Sequence, residues 1–539
     1  MRRKRLGILH VRLEDRVVEE KSDLGLFGRP SRDDLRQICL AIRRAGKDRR
    51  VGGLLLRLAQ PALGWSKAAS LGRAIQDFRA SGKPTVAFLE SAGNVDFTLA
   101  CACETLVMPP SGTLLLQGLQ AEAFFIRDLL EWVGIEAELE SVGEYKSAGE
   151  MFIRREMSRA HREELDAVLR DFSEQMVTSI ARSRSFSREQ AQELVESGPH
   201  VAEEGKETGL IDAVHHEDSC EKLFEDKLGG KVTLIPHPRY PLGDGLWSRL
   251  IGFRRPRVAV VYAVGIISRG ESRRPRPTRA VVGARSLGAL LQRLRESRRV
   301  KAVVLRIDSP GGSALASDLI WREVGRTRER KPVVVSMGDV AASGGYLIAT
   351  AADAVFAEAS TLTGSIGVVG GKIVIRRLLD KLGVGRETVR VSGRSGFHSP
   401  LYPFTQEERE KLRRHLRYFY EKLFLPRVAG GRKLPMDQVR EAARGRVWTG
   451  REGKKQGLVD EIGDLEAAIT VAREKAGIPA GKKVRIVTYA RRPRLRDLLS
   501  FRLAQAETRL WPLGAILELV DSLSDEDVHL LMTKIFRVR

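Results

Sequence analysis

In each half of the chain, short apolar runs rich in β-branched residues alternate with stretches whose apolar positions recur at helical spacing. Residues 258–263, 302–307 and 332–337 read as strands, and Leu287, Leu290, Leu291 and Leu294 fall on one helical face between the first two. A longer helix is predicted through Leu165, Val168, Leu169, Phe172, Met176 and Ile180, with a counterpart through Leu412, Leu416, Phe419 and Leu423. Leu6, Gly7 and Ile8 read as the beginning of a first strand, because Arg12, Glu14, Asp15 and Arg16 interrupt any apolar stretch that could follow. Strands alternating with amphipathic helices predict an α/β fold with a mainly parallel sheet built from βαβ units.

The pattern is written twice. Arg49 to Leu58 leading to Pro61 matches Arg298 to Ile307 leading to Pro310 at an offset of 249 positions. Lys83-Pro84 matches Lys331-Pro332, and Gly205-Lys206 with Gly209-Leu210-Ile211-Asp212 matches Gly453-Lys454 with Gly457-Leu458-Val459-Asp460, at an offset of 248. A one-residue gap covers the difference. We expect a first repeat over residues 1–235, a Pro-rich linker over 236–256, a second repeat over 257–480 and a tail over 481–539.

Composition limits what such a chain does. With 539 residues it can bury more than one core. No window approaches the roughly 18 uninterrupted apolar residues of a spanning helix. Lys and Arg number 92 against 69 Asp and Glu, a net charge of +23, which favours anionic partners. The charge is scattered, and no zinc-finger, aromatic RNA-binding or basic-zipper signature accompanies it, so a solvated Arg-rich surface is expected rather than a nucleic-acid interface. The tail mixes basic and apolar residues as an interfacial helix would, and anionic membrane is a candidate partner; a partner-docking helix explains it equally well. The 4 cysteines, Cys39, Cys101, Cys103 and Cys220, are too few and uneven for a disulfide framework or a zinc site. Cys101 and Cys103 are expected in buried helix, and His215-His216 in a surface turn. Neither metal nor cofactor is called for.

Candidate chemistry concentrates in the second half. In Asp308-Ser309-Pro310-Gly311-Gly312-Ser313 a strand enters a turn whose glycines can take positive φ and aim N–H groups at a carbonyl oxygen. In Gly338 to Tyr346 a strand turns through Ser343 into an apolar helix, the setting of a nucleophile at a helix N-terminus. Alone, each motif reads first as turn glycines and an N-cap serine, with the chemical reading second. The other copy reverses that order: it has Ala62-Leu63 in place of Gly311-Gly312, and Asn94 or Val95 in place of Ser343. Turn requirements of the fold would be needed in both copies.

A serine nucleophile needs a base, and no histidine lies between His237 and His398. A lysine serves when burial lowers its pKa from about 10.4 toward neutrality. A distant histidine could also fold in. Lys146, in Gly143-Glu144-Tyr145-Lys146-Ser147-Ala148-Gly149, is the lysine candidate, although by spacing alone it reads as one of many surface lysines; the second copy offers Arg394 or Ser395 at its place. An arginine does not release its proton under working conditions.

Five motifs in this order, Tyr145-Lys146-Ser147-Ala148, Asp308 to Gly312, Ala342 to Tyr346, Thr363 to Gly367 and Gly445 to Gly450, resemble the long, duplicated form of the signal peptide peptidase A (protease IV) family. The resemblance spans about residue 6 to about residue 480. It implies a Clp/crotonase-like fold in each half and a Ser/Lys dyad shared between them. Ser343 would be the nucleophile, Lys146 the general base and Ser365 the residue that orients the lysine. Gly311, Gly312 and the Gly344 N–H would form the oxyanion hole. It further implies peptide substrates, remnant signal peptides at a bacterial membrane, and a homo-oligomer, a tetramer by resemblance. Family members of this length usually carry an N-terminal membrane anchor that this chain lacks, so a peripheral membrane or cytoplasmic location is expected. Two other readings fit the motifs less well: a crotonase-like acyl-CoA enzyme, and a non-catalytic membrane scaffold.

Overall fold

The computed structural model describes residues 5–14, 16–19, 34–241, 255–272, 280–389, 396–489 and the backbone of 529–531. Most of the tail, including the helix expected there, lies outside the described residues.

Two parallel sheets form the body, and their strand orders correspond. In the first the order is Val232–Pro236, Leu6–Leu13, Val51–Leu58, Thr85–Leu89, Thr105–Met108, Ala213–Val214. In the second it is Arg485–Tyr489, Arg257–Val264, Val300–Ser309, Val333–Ala342, Ala354–Ala357, Glu461–Ile462, with a branch at Val333–Ala342, where Leu362–Gly364 also pairs and carries Val447–Thr449 antiparallel. The central strands are continuous apolar runs, as burial on both faces requires. Helices correspond as well: Leu35–Lys47 and Trp65–Arg79 of the first repeat match Ala284–Glu296 and Ala314–Arg328 of the second. The tandem α/β duplication read from the sequence is what the chain adopts.

A further sheet joins the halves. Glu136–Val142 of the first repeat pairs antiparallel with Val368–Val374 of the second, from Val142 against Val368 to Glu136 against Val374. The same sheet holds Ile266–Ser268 and Gly311–Ser313, and the segment His529–Leu531 lies between Gly311–Ser313 and Val368–Val374.

Two expectations change, and a third holds with a difference. The Pro-rich segment begins as a strand, with Pro236 paired to His10, and Tyr240 is buried with its hydroxyl donating to Asp48 Oδ2 at 3.1 Å. Pro lacks an N–H, and the edge of a sheet is where a strand tolerates that. The helix expected to hold Cys101 and Cys103 ends at Ala100, although both thiols are buried. The second long helix forms but is not uniform: it stays helical from Gln406 to Arg432, with a π turn, Phe419–Phe424, between Gln406–Tyr418 and Leu425–Arg432. Pro426, which cannot donate into a helical ladder, follows immediately. Its counterpart, Arg159–Arg184, runs unbroken from its N-cap, Ser158, whose hydroxyl accepts the His161 N–H at 3.1 Å.

Candidate active site

Ser343 ends the strand Val333–Ala342 and caps the helix Gly344–Ala349. Its backbone lies at φ 54°, ψ −116°, a conformation that costs a non-glycine residue of order 1–3 kcal/mol and persists only where its surroundings enforce it. They do so here through hydrogen bonds from Ser343 N–H to the Gly364 carbonyl and from Leu347 N–H to the Ser343 carbonyl, both 2.8 Å. The side chain is fully buried.

Lys146 reaches it from the first repeat. The strand Glu136–Val142 delivers the chain to a turn in which Tyr145 N–H donates to the Arg444 carbonyl at 2.8 Å. Gly445 lies against that turn; a Cβ there would stand 2.6 Å from the Lys146 nitrogen, so only glycine permits the approach. Lys146 Nζ is 2.8 Å from Ser343 Oγ, 3.0 Å from Ser365 Oγ and 3.0 Å from the Ser365 carbonyl. A neutral amine has two N–H donors and one lone pair. The Ser365 carbonyl and Oγ can take both donors, and the lone pair then faces the Ser343 hydroxyl. Burial pushes the Lys146 pKa down to about 7, against the opposing pull of the Glu164 carboxylate. The structure therefore brings together the three residues singled out in the sequence for nucleophile, base and orienting roles. The alternatives at the Lys146 position of the second copy, Arg394 and Ser395, lie outside the described residues.

The glycine turn stands against the serine. Gly311 and Gly312 take φ +102° and +154°, as the sequence led us to expect. The Gly311 N–H donates to Ser309 Oγ at 3.1 Å, so this conformation engages it within the loop. A Cβ on Gly344 would meet Gly311 Cα at 3.3 Å and the Gly312 nitrogen at 3.4 Å, which sets the loop beside the start of the helix. As the first helical residue, Gly344 has an N–H with no intrahelical acceptor. Strand pairing aligns Ala92 with Ala341 by their partners Leu114 and Thr363, which puts Asn94 at the place of Ser343.

Sequence reading missed Glu164. It is buried in the helix Arg159–Arg184, and its Oε1 accepts the Val447 N–H at 2.5 Å. Burial raises its pKa to about 8. The signal was present: Glu164 shares the buried helix face with Leu165, Val168 and Phe172, and a carboxyl on such a face needs a partner.

The model of peptidase family S49 matches residues 77–229 and again 326–479. The chain is also 36% identical over 467 residues to the chloroplastic serine protease SPPA of Arabidopsis thaliana, covering 85% of this chain and 68% of that protein. The chain belongs to peptidase family S49. Protease 4 of Salmonella typhi is 32% identical to this S49 peptidase, over 88% of this chain and 77% of its own length. Protease 4 of Haemophilus influenzae is 31% identical, over 81% and 72%. Membership of S49 makes the protein a serine protease built on a duplicated α/β module, and sets aside the acyl-CoA and scaffold readings. No helix among the described residues is long and apolar enough to cross a membrane.

Proposed function

We propose that this S49 peptidase is an endopeptidase with a Ser/Lys dyad assembled across its two repeats. Ser343 Oγ attacks the scissile carbonyl carbon while Lys146 Nζ takes the hydroxyl proton. The same proton passes to the leaving nitrogen as the C–N bond breaks, and an ester on Ser343 remains. Water, deprotonated by Lys146, releases the acyl group. The Gly344 N–H and the Gly311-Gly312 loop stabilise the oxyanion, and Ser365 holds the amine with its lone pair toward Ser343. The observation that carries this reading is the 2.8 Å separation of Lys146 Nζ and Ser343 Oγ in a site where both side chains are buried.

An extended peptide is the substrate that fits. The segment His529–Leu531 lies antiparallel on Gly311–Ser313, with Gly311 opposite Leu531 and Ser313 opposite His529. A substrate strand in that register places its backbone beside the glycine loop, and main-chain pairing supplies affinity independent of side chain. Remnant signal peptides and other apolar peptides at a bacterial membrane are the proposed substrates. The basic tail 481–539 would attach the protein peripherally to anionic lipid, and the working form would be a homo-oligomer, a tetramer by resemblance.

A fluorophosphonate probe tests the nucleophile. We expect a single adduct on the peptide containing Ser343, lost on prior incubation with an apolar peptide substrate. An adduct on another serine, or none, rejects the assignment.

A further inference from the structure

The strand that carries Ser343 contains a bulge. Against Val300–Ser309 it pairs Ile307 with Met337 and then Ser309 with Ala341, so that Gly338, Asp339 and Val340 face the single residue Asp308. In the first repeat, Leu58 pairs with Leu89 and Ala92 corresponds to Ala341, which leaves only Glu90 and Ser91 at the same place. The extra residue of the second copy is thus in the bulge, just before the nucleophile. Bulges bend a strand and re-aim the side chains that follow.

Charge holds the bulge in place. Asp308 Oδ1 accepts the Val340 N–H at 3.1 Å. Asp339, at the tip, is held by Lys67 from the first repeat: Lys67 Nζ bonds its Oδ2, and the Lys67 N–H donates to its Oδ1 at 3.2 Å. The same Nζ lies 3.4 Å from Asp308 Oδ2 and 3.6 Å from Glu19 Oε1. Gly64 makes the approach possible, since a Cβ there would stand 2.2 Å from Asp339 Oδ2. Behind Lys67, Arg306 forks onto Glu19 at 2.9 and 2.8 Å and donates to Ser336 Oγ at 2.9 Å and to the Met337 carbonyl at 2.5 Å. Burial works against the charge on Lys67, but Asp308, Asp339 and Glu19 more than offset it and hold the ammonium protonated.

The parts of this cluster are divided between the copies as the dyad is. At the 249-residue offset, Lys67 corresponds to Ala316 and Asp308 to Ala59. A device that merely docked two like repeats has no need of that asymmetry. We propose that Lys67 is a positioning residue for acylation: by pinning Asp339 and Asp308 it fixes the bulge, and through the bulge the placement of Ser343 and of the Gly311-Gly312 loop relative to Lys146. The inference rests on Ser343 being the nucleophile.

The test uses the full chain, an apolar fluorogenic peptide and the rate of Ser343 labelling by a fluorophosphonate, each per folded molecule. Lys67→Met alone leaves buried carboxylates uncompensated and can unfold the protein, so the decisive variant is Lys67→Met with Asp339→Asn, which removes the nearest ion pair and leaves Glu19 with Arg306 and Asp308 with the Val340 N–H. We expect the double variant to regain a near-wild-type unfolding midpoint while kcat and labelling stay down about 10- to 100-fold with KM little changed. Asp339→Asn alone, which leaves Lys67 with Asp308 and Glu19, should show a smaller fall in the same two rates, and Lys67→Arg should retain most of the activity. Wild-type kcat in the folded double variant, or in folded Asp339→Asn, overturns the proposal. Ser343→Ala run alongside separates the two failures: full activity there removes the nucleophile assignment itself, whatever Lys67 does.

Discussion

Lys146 Nζ and Ser343 Oγ are 2.8 Å apart although 197 positions separate the residues in sequence. The antiparallel pairing of Glu136–Val142 with Val368–Val374 closes that distance by carrying a loop of one repeat into the other. On the proposed mechanism each repeat supplies one half of the dyad, Lys146 from the first and Ser343 from the second.

The first consequence is a pH profile. The base must be neutral, and burial brings Lys146 to about 7, so kcat/KM should rise through pH 7 and level off above it. Glu164, with a pKa of about 8, favours protonated Lys146 once it ionises and so broadens the rise. Steady-state hydrolysis from pH 6 to 9 checks this; a flat or falling profile contradicts it.

Stability should follow the same proton. The folded-state pKa of Lys146 lies below the lysine value of 10.5, so between about 7 and 10.5 the unfolded chain binds more protons and folding gains stability as pH rises. Lys146→Met removes this dependence. The unfolding free energy of wild type relative to Lys146→Met should increase by about 2 kcal/mol from pH 7 to pH 9. Urea denaturation at both pH values measures it, and a difference that stays constant or shrinks rules the account out.

Ser365→Ala removes one of the two acceptors of the amine and leaves the carbonyl at 3.0 Å. Lys146 then keeps its burial but loses part of its orientation. We expect kcat to fall about tenfold with KM little changed, measured on the same peptide; an unchanged kcat would show that the hydroxyl has no part in aiming the lone pair.

Gly312 holds φ +154°, and a Cβ there would lie 2.0 Å from the Ile267 carbonyl. Gly312→Ala must displace the loop, and should abolish cleavage and cost about 1–3 kcal/mol of stability. Calorimetry with an activity assay reads both; a variant of wild-type rate would remove the loop from the mechanism.

Much of this was legible before any coordinates. Periodicity located helices such as Ala284–Glu296, and the loss of Gly311, Gly312 and Ser343 from one copy marked them as more than turn residues. Lys146 was harder: a lysine in a polar turn looks like a solvated one, and only the turn's docking on Arg444 and Gly445 buries it. Lys67 gave no signal, because the two aspartates its ammonium bonds lie 241 and 272 positions away. Hydropathy reports which face is buried, not which distant charge awaits it. Pro236 misled for a related reason, since a proline marks a break in the chain and equally the edge of a sheet.

The most direct test of the cross-repeat dyad is hydrolysis of a fluorogenic apolar peptide by wild type, Ser343→Ala, Lys146→Ala and Lys146→Arg, purified alike and checked for folding. The dyad predicts cleavage by wild type alone, since an arginine keeps the charge of a lysine but cannot act as a base. Cleavage by folded Ser343→Ala, or undiminished cleavage by either Lys146 variant, would contradict it.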